Sequence, residues 1–179
     1  MIGIVSDSHI PSRATSVPDA IREKLETAET VIHCGDFDRK SFYEQFMDWF
    51  PDAYCVSGNC DYLGLDSAVT FTVDDITFGV YHGSGIQPRG HRPTLANIAE
   101  EKLEVDVLFH GHTHTSMAAR ENGSILINPG SCTGVGGGSA QQSNPTMRTV
   151  STDHGRLSTQ EWTYQDDRLE QTDESVFEL

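Results

Sequence analysis

The stretch 105–114, VDVLFHGHTH, joins an apolar run to two histidines that stand two residues apart. An apolar run of this length between turn residues is typical of a strand buried in an open sheet. Outward from it, four more apolar runs end in polar residues: MIGIVSDSH at 1–9, VIHCGD at 31–36, AYCVSGN at 53–59 and ITFGVYHG at 76–83. Because ligands gather at the carboxyl ends of such strands, we expect these polar groups to meet in one place.

The side chains that end these runs are carboxylates, an amide and imidazoles. Carboxylates that lie close together repel one another unless cations neutralise them, so the sequence indicates a pair of divalent metal ions. Oxygen and imidazole ligands suit manganese, nickel, iron, cobalt or zinc, and the sequence does not choose among these metals. Two such ions can activate water for attack on phosphorus, so a serine or cysteine nucleophile is not required.

Each motif has a simpler interpretation when it is taken alone. Asp7-Ser8-His9 can be a turn that caps a helix, Gly35-Asp36 is a common turn after a strand, and Gly58-Asn59 can be a tight hairpin turn. Their occurrence in order, each after an apolar run, favours the metal centre over five unrelated turns.

The ordered motifs D-x-H, GD, GN, HG and GHTH over residues 7–114, followed by NPGS at 128–131, resemble those of the calcineurin-like metallophosphoesterases, and among them the small bacterial and archaeal phosphodiesterases. The resemblance implies an α/β fold of the α+β type, in which helices flank a two-sheet β-sandwich. It also implies one metal bound by Asp7, His9 and His114, a second bound by Asn59, His82 and His112, and Asp36 as the bridge between them.

The implied reaction is metal-dependent hydrolysis of a small phosphoester substrate, in particular a phosphodiester, by a hydroxide that bridges the two ions. The predicted catalytic residues are Asp36, Asn59 and His82. Two alternatives stay open. One is an interaction scaffold with the same fold, as in the retromer scaffold subunit, and the other is a phosphomonoesterase.

Cys60 departs from the pattern of larger family members, which have a histidine after the Gly-Asn pair to protonate the leaving group. A thiol with an ordinary pKa is a poor general acid beside an imidazole. We therefore expect turnover to favour acidic leaving groups such as nitrophenol. Smaller members also carry cysteine here, so Cys60 does not argue against activity.

Other residues are candidates for supporting the metal ligands or for contacting substrate. His33 precedes the GD motif and is predicted either to support Asp36 through a hydrogen bond or to be a buried histidine with ordinary partners. His110 is predicted to pack behind the ligands. Arg89 and Arg92 lie in a loop beyond the HG motif and can meet a phosphate, or can be solvated. The glycine-rich stretch 134–139 lacks the ending of a P-loop and is predicted to be a mobile loop.

The length of 179 residues fits one domain, predicted at 1–164, with an acidic tail at 165–179 that is either partly disordered or packs at an edge. Helices are predicted from near Pro18, over 40–50 and over 94–103, and hairpin strands over 117–127 and 146–164. No apolar run reaches membrane-spanning length, so we expect no membrane contact and a cytoplasmic location. The four cysteines are expected to be reduced, and a homo-oligomer is possible.

The chain is strongly acidic, with 27 acidic and 12 basic residues and a formal net charge of −15. Such a surface repels nucleic-acid backbones, so bulk nucleic-acid binding is disfavoured. The composition is typical of proteins from high-salt cytoplasm, although an ordinary acidic enzyme is the alternative. If the first interpretation holds, thermal stability rises from low salt to molar KCl, because screening removes self-repulsion.

Overall fold

The computed structural model describes residues 1–138 and 140–179. The elements in chain order are β1 (Ile2–Val5), α1 (Asp19–Leu25), β2 (Thr30–His33), α2 (Lys40–Trp49), β3 (Tyr54–Cys55), β4 (Ala68–Val73), β5 (Ile76–Tyr81), α3 (Arg92–Asn97), a π-helical segment (Ile98–Leu103), β6 (Val107–Phe109), β7 (Met117–Glu121), β8 (Ser124–Asn128), β9 (Thr146–Asp153), β10 (Arg156–Gln165) and β11 (Arg168–Glu178). Of the described helices, none is long and apolar enough to span a bilayer.

The strands form two sheets. The first has six strands in the order β11-β10-β9-β1-β2-β3, and the second has five in the order β4-β5-β6-β8-β7. The strands β1, β2 and β3 are parallel to one another, as are β5, β6 and β8, so the carboxyl ends within each set point the same way. This arrangement brings the loops that follow these strands together, as the sequence predicted.

A core of aliphatic and aromatic side chains lies between the two sheets. Ile4 and Ile32 of the first sheet belong to the same buried cluster as Phe78, Phe109 and Ile127 of the second. Burying such side chains contributes about 1.5–3 kcal/mol each, so this layer is a main source of stability. The predicted sandwich is therefore confirmed.

Helices cover the outer faces of both sheets. The helices α1 and α2 pack on the first sheet through Ile21, Leu25, Phe42 and Phe46, and α3 packs on the second. Gly3 allows the close approach of α1, because a Cβ at this position would lie 2.8 Å from Leu25 Cδ2. Helices thus flank the two-sheet sandwich, as the sequence predicted.

Three local details of the structure were not predicted. The helix predicted from near Pro18 begins at Asp19, with Pro18 at its N-cap and no side-chain cap hydrogen bond. The helix expected over 94–103 begins at Arg92 and changes to π-helical geometry at Ile98. The strand β4 was not predicted, although Val69, Phe71 and Val73 alternate with polar residues as in a half-buried strand.

The acidic C-terminal segment is a strand of the first sheet. The sequence predicted that 165–179 lies beyond the domain as a tail, disordered or packed at an edge. In the structure β11 pairs antiparallel with β10 from Arg168 opposite Gln165 to Glu178 opposite Arg156. The segment forms a strand because of contacts with distant parts of the chain. Hydrogen bonds to β10 satisfy its backbone, and Phe177 packs against the core between the sheets.

Candidate metal centre

The seven predicted ligands lie at one end of the sandwich. Asp7 and His9 follow β1, Asp36 follows β2, and Asn59 follows β3; His82 follows β5, and His112 and His114 follow β6. Backbone hydrogen bonds hold the loops together beyond the strands, since the Asp7 amide donates to Gly35 O at 3.0 Å and the His9 amide donates to Asp36 O at 3.0 Å. Both sheets thus contribute to one site.

The ligand atoms form two groups that share a carboxylate. One group consists of Asp7, His9, Asp36 and His114, and the other of Asp36, His82 and His112; within each group the ligand atoms lie within 4.8 Å of one another. Asp36 Oδ2 is 3.5 Å from His9 Nε2 and 3.4 Å from His82 Nε2. This shared position is the one that the resemblance assigned to the bridging ligand.

Asn59 lies beside the second group, with its Oδ1 3.2 Å from His82 Nε2. Its neutral amide oxygen adds a hard ligand atom without adding charge. The structure therefore brings all seven predicted side chains to the same volume.

Hydrogen bonds fix the orientation of three imidazoles. His82 Nδ1 donates to Cys34 O at 2.8 Å and His114 Nδ1 donates to Val135 O at 2.6 Å, while His9 Nδ1 donates to the Asp38 carboxylate at 3.0 Å. Each bond places a proton on Nδ1, so Nε2 faces the site, and in the neutral ring, which is the form that binds metal, its lone pair is directed there. This is the usual arrangement of metal-binding histidines.

His112 differs from the other three because its Nδ1 is buried and has no hydrogen-bond partner among the described residues. A buried polar nitrogen without a partner costs about 1–3 kcal/mol. Metal coordination would remove this cost. The unpartnered nitrogen and the directed Nε2 lone pairs show that the donor set fits divalent ions.

Five of the ligand residues adopt left-handed backbone conformations. The φ angles are 53° at Asp7, 48° at His9, 61° at Asp36, 68° at His112 and 61° at His114. Such conformations are uncommon for residues other than glycine, and they cluster at functional sites where the surroundings enforce them. The fold thus uses backbone strain to direct these side chains inward.

The two aspartates of the site differ in pKa. Burial raises the pKa of Asp7, and the neighbouring charge of Asp36 raises it further, more than His82 and His114 lower it. Burial also acts to raise the pKa of Asp36, but the hydrogen bond and charge of His82, the Cys60 amide and His9 outweigh it and lower the pKa well below 3.8. Asp36 is therefore ionised at neutral pH and attracts cations.

Two glycines of the motifs make room for the ligands. A Cβ on Gly58 would overlap Asp36 Oδ1, and a Cβ on Gly111 would overlap Ser6 Oγ. The glycines of the GN and GHTH motifs are thus required by the close approach of neighbouring loops, whereas the sequence suggested turn geometry.

Asp61 is a supporting residue that sequence reasoning missed. Its carboxylate accepts hydrogen bonds from the amides of Asp36 at 2.9 Å, Asp38 at 2.9 Å and Gly58 at 2.8 Å. It therefore ties the loop after β2 to the loop after β3. The sequence signal was its place directly after the GN motif, since aspartate in turns binds nearby amides.

The NPGS motif holds two ligand loops in place. Ser131 Oγ donates to Asp7 O at 2.8 Å, and Asn128 Nδ2 donates to Gly111 O at 2.8 Å. Both side chains are buried. The motif therefore acts on the backbone that carries Asp7 and His112 and does not contribute ligands in the two groups.

His33 supports the site through Ser8. The Gly35 amide donates to His33 Nδ1 at 3.2 Å, so the proton is on Nε2, which lies 3.2 Å from Ser8 Oγ; Ser8 Oγ in turn donates to Asp36 O at 3.3 Å. Burial lowers the pKa of His33 well below 6.5, and the ring stacks on Phe37. His33 thus acts on the backbone of Asp36 through Ser8, whereas the sequence predicted a hydrogen bond from His33 that supports Asp36 itself.

Cys60 lies at the rim of the site. Its amide donates to Asp36 Oδ1 at 2.7 Å, and Asn59 Nδ2 donates to its sulfur at 3.3 Å. Burial raises the pKa of the thiol to about 12, and the carboxylates of Asp36, Asp38 and Asp61 contribute in the same direction. All four cysteines are free thiols, as predicted.

The two loop arginines lie in different places. Arg89 donates from its guanidinium to His112 O and so lies at the rim of the centre. Arg92 instead pairs with Glu121 of β7 at 3.5 Å, which directs it away from the ligands. Of the two predicted phosphate contacts, the structure places only Arg89 beside the centre.

His110 packs behind the ligands. Asn128 Nδ2 donates to its Nδ1 at 3.1 Å, and burial lowers its pKa to about 4. The stretch 134–138 lies beside the site, since the Val135 carbonyl binds His114, and Ser139 of the predicted mobile loop lies outside the described residues.

Comparison with known proteins gives consistent results. A family model described as the calcineurin-like phosphoesterase superfamily domain matches residues 1–155. A probable metallophosphoesterase of Methanocaldococcus jannaschii is 38% identical over 133 residues, which are 74% of this chain and 68% of that protein.

Two solved structures extend the comparison to the fold. Wild-type Vps29 of Entamoeba histolytica, solved in complex with Zn²⁺, has a TM-score of 0.83 and 25% identity over 98% of both chains. An archaeal phosphodiesterase has a TM-score of 0.62 and 27% identity over 82% of this chain and 90% of that one.

Proposed function

Because the chain belongs to the calcineurin-like phosphoesterase superfamily, we propose that it is a phosphodiesterase with a centre for two divalent ions. The proposed first site consists of Asp7, His9 and His114, and the second of Asn59, His82 and His112, with Asp36 shared. The observation that carries the proposal is this shared carboxylate between two complete ligand groups. Family members bind divalent metals, and the metal identity stays open among manganese, nickel, iron, cobalt and zinc.

The two metal ions, when bound, would supply an activated water and positive charge for the phosphoryl oxygens. The protein supplies the preorganised cage. Asp36 is ionised and holds the two groups together, and the Nδ1 hydrogen bonds of His9, His82 and His114 fix the directions of their lone pairs. Arg89 adds one cationic side chain at the rim, where it can contact a phosphoryl oxygen.

A diester is favoured over a monoester for two reasons. A diester carries one negative charge, and the chain has a net charge of −15, so a more highly charged ligand meets greater long-range repulsion. In addition, the archaeal phosphodiesterase is 27% identical and matches over 82% of this chain. Cys60, with its thiol protonated, is a weak general acid and therefore favours esters with acidic leaving groups.

The test compares bis(4-nitrophenyl) phosphate with 4-nitrophenyl phosphate after dialysis and addition of each metal. We expect metal-dependent turnover with the diester preferred in kcat/KM. Asp36→Asn should lose at least about a hundredfold in activity, because it removes the shared ligand charge. Asp48→Asn, an exposed change on α2, is the matched control and should retain activity.

The rival functions predict different results. A preference for the monoester would identify a phosphomonoesterase. Metal binding without turnover of either ester would favour the interaction scaffold, for which the similarity to Vps29 over 98% of both chains is the supporting observation.

A further inference from the structure

A pocket of about 470 Å³ lies directly beside the candidate metal centre. His114 forms part of its wall, and this ring is fixed by the hydrogen bond to Val135 O. The volume is within the range of small-molecule sites, about 300–1,000 Å³. A ligand whose phosphoryl group lies at the centre can therefore extend one of its substituents into this pocket.

Most of the polar side chains that line the pocket are neutral groups that both donate and accept hydrogen bonds. Hydroxyl and carboxamide side chains predominate: Thr115, Ser116, Gln141, Ser143, Asn144 and Thr146. Among the lining residues that the structure describes there is no lysine or arginine and no phenylalanine, tyrosine or tryptophan. Hydroxyls and carboxamides match the hydroxyl groups of an alcohol, whereas the pocket lacks partners for a second anionic group.

One carboxylate, that of Glu161, lies in this lining, and hydrogen bonds from neighbouring side chains hold it in place. Glu161 Oε2 pairs with Arg148 at 2.9 Å, and Glu161 Oε1 accepts from Thr172 at 3.0 Å. Arg148 is 2% exposed and also pairs with Asp173 at 3.0 Å. Thr163 also donates to Glu161 Oε1 at 3.4 Å. Because a carboxylate has about four acceptor positions, Glu161 retains capacity for one more hydrogen bond, from a ligand hydroxyl.

The same arginine supports a second lining residue. Arg148 Nε donates to Ser116 Oγ at 2.8 Å. One buried guanidinium thus holds two lining residues, Ser116 and Glu161, in place, which lowers the entropic cost of binding a polar ligand. The three charges of Arg148, Glu161 and Asp173 sum to −1, which further disfavours an anionic ligand group.

We infer that this pocket binds an uncharged, hydroxyl-rich alcohol, such as a polyol or sugar, that is one substituent of the phosphodiester. The inference rests on the proposed function, because it takes the phosphoryl group of the substrate to lie at the candidate metal centre. It adds the substrate class, which neither the metal ligands nor the family relationship supplies.

The test uses two diesters that share nitrophenol as the leaving group and carry the same charge, namely 4-nitrophenyl glyceryl phosphate and 4-nitrophenyl propyl phosphate. We expect kcat/KM to be about tenfold higher for the glyceryl diester, because two hydroxyls gain hydrogen bonds in the pocket. A third diester, 4-nitrophenyl phosphorylcholine, carries a cationic substituent. Its kcat/KM should not exceed that of the glyceryl diester. A higher value for the propyl or choline compound would overturn the inference.

Variants of the lining separate the pocket from the metal centre. In the double variant Gln141→Ala and Asn144→Ala, the glyceryl preference should fall to about threefold or less, because two hydrogen-bonding groups are removed. The measured quantity is the ratio of kcat/KM for the glyceryl diester to that for the propyl diester. Gln45→Ala, an exposed change on α2, is the matched control and should retain the full preference. A preference unchanged by the double variant would contradict the inference.

A binding measurement gives a readout that does not depend on turnover. Isothermal titration calorimetry with glyceryl phosphate and propyl phosphate, with and without Mn²⁺, should show about tenfold tighter binding of the glyceryl compound. If this preference is found but neither diester is hydrolysed, the pocket assignment holds and the proposed function fails. If both diesters are hydrolysed equally and both phosphates bind equally, the pocket assignment fails and the proposed function holds. Absence of both hydrolysis and preference rejects both.

Discussion

His9 Nε2 and His114 Nε2 lie 3.3 Å apart and face each other across the first ligand group. Both rings use Nδ1 to donate elsewhere, so two lone pairs are directed at each other. The rings are stacked at 5.0 Å between centroids, which leaves little freedom for either to turn away. Between two neutral rings this contact is repulsive, and binding of both nitrogens to a cation would remove the repulsion, so we expect metal to stabilise the folded chain.

Metal binding should therefore raise the free energy of unfolding. At a free metal concentration of 100 times Kd we expect about 2.7 kcal/mol of stabilisation per site. His114→Asn should lose most of the contribution of the first site, while His154→Asn, an exposed change, should retain it. Urea unfolding with EDTA, Mn²⁺ or Zn²⁺ measures this, and an equal metal response in the two variants would contradict the assignment of His114.

Asp61→Asn should weaken the centre without removing a ligand. Asparagine keeps one oxygen that can accept from the Asp36 and Gly58 amides, but its NH2 group then faces the Asp38 amide, so we expect a loss of about 1–3 kcal/mol in unfolding free energy. Metal affinity should fall by about 10–100-fold, because the loops of Asp36 and Asn59 are no longer tied together. Asp66→Asn in the same loop is exposed and serves as the control. Calorimetric titration with metal measures this affinity, and an affinity equal to that of the wild type would refute the supporting role of Asp61.

Cys60→Ala should retain turnover of an activated diester within about threefold, because the protonated thiol contributes little general acid catalysis. For a series of leaving groups of rising pKa, the wild type and the variant should lose activity in parallel. Steady-state kinetics with metal content measured in each sample provides the check. Loss of turnover with metal retained would show that the thiol does act in the reaction.

The stability of the metal-free protein should fall as the pH decreases from 6.5 toward 4. Burial lowers the pKa of His110 from 6.5 to about 4, so the unfolded chain binds a proton that the folded chain does not. By linkage this removes about 2 kcal/mol between pH 7 and 5 for this residue. In His110→Gln the decline measured by urea unfolding in EDTA should be smaller by that amount, and identical declines would contradict it.

The arrangement of strands and ligand loops was predictable because it rests on local patterns. The apolar runs that end at Val5, His33 and Phe109 carry their polar motifs directly after them, so strand and ligand are read from the same few residues. The strand β4 also has such a local pattern. By contrast β11 is too acidic to be recognised alone, because its stability comes from pairing with β10, which lies in another part of the sequence.

The supporting contacts of the site were harder to predict for the same reason. The identity of Asp61 suggests a local turn, but two of its three amide donors come from the loop after β2. Arg92 was grouped with Arg89 by proximity in sequence, and its pairing with Glu121 depends on where β7 lies in the second sheet. Short sequence motifs therefore identify the types of ligand residue, whereas tertiary contacts determine which side chains support those ligands.

The position of β11 at the open margin of the six-stranded sheet has a consequence for self-association. An unpaired margin presents free amide and carbonyl groups to which another polypeptide can add a strand. Here that margin carries Glu170, Asp173, Glu174 and Glu178, so two copies aligned edge to edge would bring rows of carboxylates together. We therefore expect the C-terminal segment to counteract aggregation in dilute buffer, and we expect this effect to diminish as counterions accumulate around it.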